Sequence, residues 1–360
     1  MRKTFSVLAS ITILSTAAFI SPSSADSKGI PNENAVGYWT DARMKSALPV
    51  ELVVDPKTKI GVLQTSPASN PTPAPSPSPT DGDWVSNGLP QFAVGKVFFT
   101  LNNSNYVCSG SLIDDSNSGI AIVLTAGHCV IDKGKFAKNW MFVPNYDNLI
   151  TQNSGEIQPA DKWYATNLVV RSEFANSRQF NTTAIQHDWA FAVLKKSAFS
   201  KDGFARSAHD NDLPDTRDTS SNALALHVSG FPNSSTSWAF GYPAAQPYNG
   251  KELKYAYGLV TGDPATGNTT WGMPSPLTGG ASGGPWLSFL ASDYSSGKVS
   301  SLNSYKYTND LTRMYGPKFA SKTTATFEAA KTNSCITNLT TTCTANLIVS
   351  LSSVTQVSSK

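Results

Sequence analysis

The 360-residue sequence predicts an all-β fold. Three observations lead there. Short β-prone runs recur beyond residue 84: "FAVGKVFFTL", "GIAIVLTA", "NLVV", "DWAFAVL", "ALALHVSGF" and "VSSLNSY". Gly, Asn, Asp, Ser and Pro punctuate them, as turns between strands require. No long segment before the C-terminal end carries a 3.6-residue apolar period, and only "SKTTATFEAAKTN" (321–333) reads as a helix. Strands of this kind bury their apolar faces in a sandwich or a barrel.

In chain order, residues 1–25 read as a signal peptide. Arg2 and Lys3 form the basic start, "FSVLASITILSTAAFI" (5–20) the apolar segment, and "SPSSA" a small-residue site with cleavage expected after Ala25. The apolar run is short for a membrane span and no stop-transfer pattern follows, so a secreted, extracellular protein free of the membrane after cleavage is expected. Residues 26–65 form a separate region, in which "AVGYWTDARMKSALPVEL" (35–52) predicts a short amphipathic helix starting near Thr40 or Asp41. In 66–83, proline alternating with small residues can neither pair in a sheet nor continue a helix, which predicts an extended, protease-accessible linker. Residues 84–333 hold the strands, and 334–360 form a Thr/Ser-rich tail.

The composition narrows the partners. A net charge of +3, with no long basic run, gives no footprint for nucleic acid or an anionic membrane. The four histidines are scattered and no H-E-x-x-H occurs, so neither a metal nor another cofactor is expected. Export permits disulfides among Cys108, Cys129, Cys335 and Cys343. Three pairings are open, and the grouping along the chain favours Cys108–Cys129 and Cys335–Cys343.

Three stretches carry chemistry. In "VLTAGHCV" (123–130), His128 and Cys129 adjoin directly after an apolar strand. In "LTGGASGGPW" (277–286), Ser282 lies among glycines, which allow a nucleophile to be exposed and backbone N–H groups to face a developing oxyanion. "GASGG" also fits the G-x-S-x-G elbow of α/β-hydrolases, but there the histidine follows the serine, whereas all four histidines here precede Ser282. In "HDWAFAVLK" (187–195), Asp188 opens an apolar strand, where a buried carboxylate needs donors such as an imidazole. Base and orienting carboxylate usually come from separate segments, which favours His128 over the neighbouring His187.

Taken together and in order, "CSGSLI", "LTAGHC", "DWAFAVL" and "GGASGGP" resemble the trypsin-like serine peptidases, most closely secreted microbial members related to glutamyl endopeptidases. The resemblance covers about 84–333, and "VGYWTDARMKSA" resembles the prosegments of such bacterial enzymes. It implies two packed six-stranded β-barrels with a C-terminal helix and the site between them. His128 becomes the general base, Asp188 its orienting carboxylate and Ser282 the nucleophile. Gly280 and Ser282 supply the oxyanion hole, and a Cys108–Cys129 bridge steadies the base. Ser304 and Tyr305 match the strand that pairs with extended substrate. Pro276 stands where trypsin-type members carry an acidic residue, so no Arg/Lys preference is expected.

The chain also departs from the family. Ala281 replaces the aspartate that binds the new N-terminal ammonium in many animal members, so 26–80 is expected to act as a removable prosegment instead. Thr278 is out of register with the threonine of glutamate-cutting members and no histidine lies near Ser304, so the sequence supports no glutamate preference either. The cysteine pair that braces the nucleophile loop in animal members is missing. The implied function is that of a monomeric, secreted serine endopeptidase acting on protein or peptide substrates. The alternative is a catalytically silent homologue that binds proteins through the same fold.

Overall fold

The computed structural model describes residues 37–65, 80–115, 120–147, 157, 162–195, 223–231, 235–332 and 346–350. All of them belong to one compact unit, residues 31–360. The expected signal peptide, the linker core at 66–79, Cys335 and Cys343 lie outside the described residues. No described helix is long and apolar enough to cross a membrane.

The N-terminal segment starts with α1 (Asp41–Ser46), whose cap residue Thr40 accepts a hydrogen bond from the Arg43 N–H. The helix expected over 35–52 is corrected to this shorter one. Ala47 turns to extended backbone, Pro49 cannot continue a helix, and Val50, Val53 and Val54 prefer a pleated surface. The chain continues as β1 (Leu48–Pro49), β2 (Glu51–Val54) and β3 (Gly61–Gln64), then β4 (Thr80–Asp83). The linker expected over 66–83 is corrected at its end: past the last proline, Thr80–Asp83 pairs antiparallel with residues 254–257.

The first lobe holds α2 (Gly88–Ala93), β5 (Val94–Leu101), β6 (Ser104–Ile113) and β7 (Ile120–Thr125). A small pair, β8 (Ile131–Asp132) and β9 (Lys135–Phe136), precedes β10 (Lys138–Pro144) and β11 (Trp163–Arg171). Two single-turn helices, α3 (Ser172–Ala175) and α4 (Thr182–Ile185), lead to β12 (Ala190–Lys195). The path β6–β5–β10–β11–β12–β7 returns to β6, closing a six-stranded barrel. Phe98, Trp140, Phe142 and Phe191 are fully buried in its core, each contributing about 1.5–3 kcal/mol.

The second lobe comprises β13 (Ala225–Leu226), β14 (Thr236–Gly241), β15 (Lys254–Leu259), β16 (Thr261–Gly262), β17 (Thr270–Pro274), β18 (Pro285–Ser288), β19 (Lys298–Leu302), β20 (Tyr305–Tyr307) and β21 (Asp310–Pro317). One sheet contains β19–β18–β14–β15 and the other β17–β21–β20. Contacts of β15 with β17 and of β19 with β21 bring six strands around a second core that includes Trp286, Met273, Ala239 and Leu277. The expected C-terminal helix is α5 (Ser321–Thr332), which sets Phe327 against Phe191 of the first barrel. From the tail, β22 (Asn346–Ser350) adds antiparallel to β11, an element that the Thr/Ser-rich sequence did not announce.

The N-terminal strands join both lobes. β1 runs parallel to β6 of the first barrel, and β2 runs parallel to β20 of the second with β3 on its far side.

Candidate active site

His128 and Asp188 meet because two neighbouring strands end together. β7 and β12 pair in a register that sets Thr125 opposite Ala190. Past Thr125 the chain enters a 3₁₀ turn, Gly127–Cys129, and just before Ala190 lies Asp188. Both side chains are fully buried, with His128 Nδ1 2.7 Å from Asp188 Oδ2. The other carboxylate oxygen accepts the His128 backbone N–H at 2.8 Å, and the Ser304 hydroxyl donates to Oδ2 at 2.5 Å. Three donors therefore compensate a carboxylate removed from water. A Cβ at Gly127 would lie 2.8 Å from the Phe174 ring and 3.0 Å from Asp188 Oδ1, so only glycine lets the turn come this close. Cys129 is bonded to Cys108 on β6, tying the turn to the barrel wall. Cys108, His128 and Cys129 cluster closely, but the disulfide leaves no thiolate to bind a metal.

The nucleophile loop is held by backbone and amide bonds. Gly280 has φ +97°, a conformation that favours glycine, and a Cβ there would meet Ala244 N at 2.8 Å. Ser109 on β6 donates its hydroxyl to Gly280 O at 2.9 Å and its N–H to Ser282 O at 2.7 Å. Asn303 donates from Nδ2 to Ala281 O and Phe240 O, and its Oδ1 accepts from Trp286 Nε1. Its backbone also exchanges bonds with Gly283 and Gly284. Asn303 thus braces the loop where the animal members' cysteine pair is missing. Ala281 is fully buried in the second core, with no charge to offer an ammonium.

The N-terminal segment occupies this loop. Val50 O accepts the Gly280 N–H at 3.0 Å and the Ser282 hydroxyl at 3.2 Å. Ser282 is only 4% exposed. Its hydroxyl is given to Val50, while the buried Nε2 of His128 has no hydrogen-bond partner among the described residues. A cavity of about 480 Å³ runs beside this contact, lined by Val50, Leu63, Tyr106, His128 and Phe180 among others.

β20 presents backbone to the cleft. Leu52, Val53 and Val54 pair with Tyr305, Lys306 and Tyr307. The side chain of Ser304 is committed to Asp188. The hydroxyls of Tyr305 and Tyr307 both reach the buried Asp263 Oδ2, at 2.7 and 2.6 Å. Burial, with Asp263 nearby, pushes both phenols well above the usual tyrosine range. Pro276 follows Ser275, whose carbonyl accepts from Lys306 Nζ at 3.2 Å. His187 stands apart from the site: it bonds to Thr183 O and approaches Lys322, and desolvation lowers its pKa. Asn303, Asp263, Ser109 and Lys306 were not singled out from the sequence. Ser109 lies within "CSGSLI", but its partners Gly280 and Ser282 are far along the chain, and no local motif marks the other three.

The protease Anisep from Arthrobacter nicotinovorans is 32% identical; the similarity covers 70% of this chain and all of that one, with a TM-score of 0.55. This chain belongs to the trypsin-like serine proteases. The thermostable serine protease AL20 from an extremophilic microorganism is 33% identical over 69% of this chain and all of that one, with a TM-score of 0.54. The family model for the lysyl endopeptidase C-terminal domain matches residues 82–214. That stretch includes His128 and Asp188 and stops before the nucleophile loop and β20. No curated protein sequence matches the chain. Within the trypsin-like family, this member combines a buried alanine before Ser282 with an amide brace from Asn303.

Proposed function

We propose that the protein is a secreted serine endopeptidase made as a latent precursor, with 26–65 as its prosegment and the linker before β4 as the stretch to be cut. One observation carries this reading: a peptide carbonyl, that of Val50, lies against both the Gly280 N–H and the Ser282 hydroxyl, beside the buried His128–Asp188 pair. That is the placement an acyl-transfer site gives the carbonyl it polarises.

In the reaction, Ser282 Oγ attacks the substrate carbonyl carbon and its proton passes to His128 Nε2. The Gly280 and Ser282 N–H groups hold the tetrahedral oxyanion. Collapse breaks the C–N bond as His128 returns the proton to the leaving amine, and an acyl-enzyme remains. Water, deprotonated by the same imidazole, attacks the ester and releases the acid and Ser282. Asp188 fixes the imidazole tautomer and stabilises the imidazolium.

The docked segment is a poor substrate for physical reasons. Ser282 donates its proton toward Val50 O, so His128 is not engaged. The residues after Val50, on the amine side, are clamped between β20 and β3, so a released amine stays in place to re-form the bond. No observation favours the silent-homologue alternative, since every group the reaction needs is present.

The test is labelling with a fluorophosphonate. The full chain is expected to label slowly, and the chain cut within 66–79 and diluted to label rapidly, at Ser282 alone. Heat-denatured protein and His128→Ala are expected to stay unlabelled. A cut, folded chain that takes no label at Ser282 overturns the peptidase reading.

A further inference from the structure

The side chain of Lys306 has no task in the chemistry above, yet it sits at the substrate-pairing strand. It is 2% exposed. Its ammonium donates to Ser275 O at 3.2 Å and Leu311 O at 2.7 Å, and among the described residues no carboxylate forms an ion pair with it. A buried cation held by carbonyls alone is costly unless an anion joins it. Its position is that of a selecting group. Lys306 lies on β20 two residues after Ser304, which bonds Asp188, and its Nζ reaches the carbonyl next to Pro276, the site of the acidic selector in trypsin-type members. A cation stands here in place of that acid.

The docked segment points the same way. Residues 48–54 read LPVELVV, and Glu51 is their single charged residue. Glu51 directly follows the carbonyl at the nucleophile, and its Cβ would lie 3.3 Å from one built on Gly279. Its Oε1 is buried without a hydrogen-bond partner among the described residues. Lys306 is the strongest charge acting on it, and Glu51 is in turn the strongest charge acting on Lys306. The segment thus sets an acid in the field of the cation, and among the described residues the two form no ion pair; its strand runs parallel to β20 and pairs with β3 on its other edge.

We propose that Lys306 is the primary specificity determinant and that the enzyme cleaves after residues bearing a carboxylate, glutamate above all. The proposal rests on the peptidase reading above and adds its substrate class. It runs against the lysine preference in the name of the matching family model, but that match ends at residue 214 and does not reach Lys306. A substrate lysine brought against Lys306 would face a like charge.

The full chain, cut within 66–79 and diluted until fluorophosphonate labels Ser282, would be incubated with a peptide library and its products sequenced by mass spectrometry. Rates are normalised to labelled enzyme. Cleavage after Glu is expected to exceed cleavage after Leu or Lys by about 100-fold, the scale of a desolvated charge pair. Lys306→Met is expected to erase most of that preference, and Lys306→Glu to shift it toward Lys and Arg. Labelled wild-type enzyme that cuts mainly after basic or apolar residues overturns the specificity proposal and leaves the peptidase reading intact. Absence of labelling overturns both. A Lys306→Met enzyme that labels at Ser282 and keeps the full preference for Glu overturns the role of Lys306, and Lys306→Arg, which retains the charge, is the second variant should Met prevent labelling.

Discussion

On the first-barrel side of the cleft, Asp188 already receives three hydrogen bonds, two of them from His128. On the second-barrel side, Ser282 and Gly280 point their donors at Val50, a residue 232 positions away in the chain. The proposed base is set within one barrel, braced by a disulfide and by adjacent strand ends. The proposed nucleophile and oxyanion donors are equally well held, but Val50 O, from another part of the chain, accepts their hydrogen bonds. On the precursor reading proposed above, latency lies in occupancy and not in distortion, in keeping with a buried alanine at 281, which has no charge to offer an ammonium.

The largest expected effect breaks the first-barrel side. Asp188→Asn should lower kcat/KM of the cut chain about 10⁴-fold near neutral pH, because the amide favours the wrong imidazole tautomer. The loss should depend on pH, which a merely structural defect would not produce, so the measurement is a full pH–rate profile with active-site titration. Ser304→Ala removes one charge-assisted bond to the same carboxylate, and about a tenfold loss in kcat is expected.

The second-barrel side can be opened without touching the chemistry. Leu52, on the docked segment itself, is fully buried. Leu52→Ala should cost docking about 3 kcal/mol, which corresponds to roughly 100-fold faster fluorophosphonate labelling of the uncut chain. Unchanged labelling would show that residues 48–54 do not limit access to Ser282.

The smallest effect sharpens the comparison through pH. Burial raises the Glu51 carboxyl above its ordinary 4.5, with Lys306 and His128 opposing the shift. The docked acid therefore holds its proton more tightly than the released one. This contribution to docking is fully present below pH 4.5 and is lost as pH rises through the raised docked value. Glu51→Gln removes the ionisation, so the uncut variant should label a few-fold more slowly than wild type at neutral pH and equally fast in acid. Parallel labelling curves for the two proteins between pH 4 and 8 would refute this account.

Much of the first-barrel side could be read from the sequence, because its parts lie in contiguous strings. "LTAGHC" contains a strand end, a turn glycine, the imidazole and a bridging cysteine; "DWAFAVL" contains the carboxylate and the strand that carries it. The fold class and the helix at 321 were equally legible from alternation and punctuation. Strands such as Thr236–Gly241 and Asp310–Pro317 were less so, because their Gly and Pro residues resemble turn signals. The stretch 35–52 misled for a related reason: an amphipathic start continues into residues whose structure is decided by the edges they pair with.

The sequence by itself determined the strands, the nucleophile loop, the histidine turn and the family, since each depends on residues close together in the chain whose steric and polar demands are local. Only the tertiary structure decided that Ser304 bonds Asp188, that Asn303 braces the loop around Ser282, that Val50 O lies against Gly280 and Ser282 and that Lys306 is a buried cation on β20. These are contacts between remote segments. Their existence depends on barrel closure, strand register and the removal of water from charged groups, none of which is encoded in a local pattern.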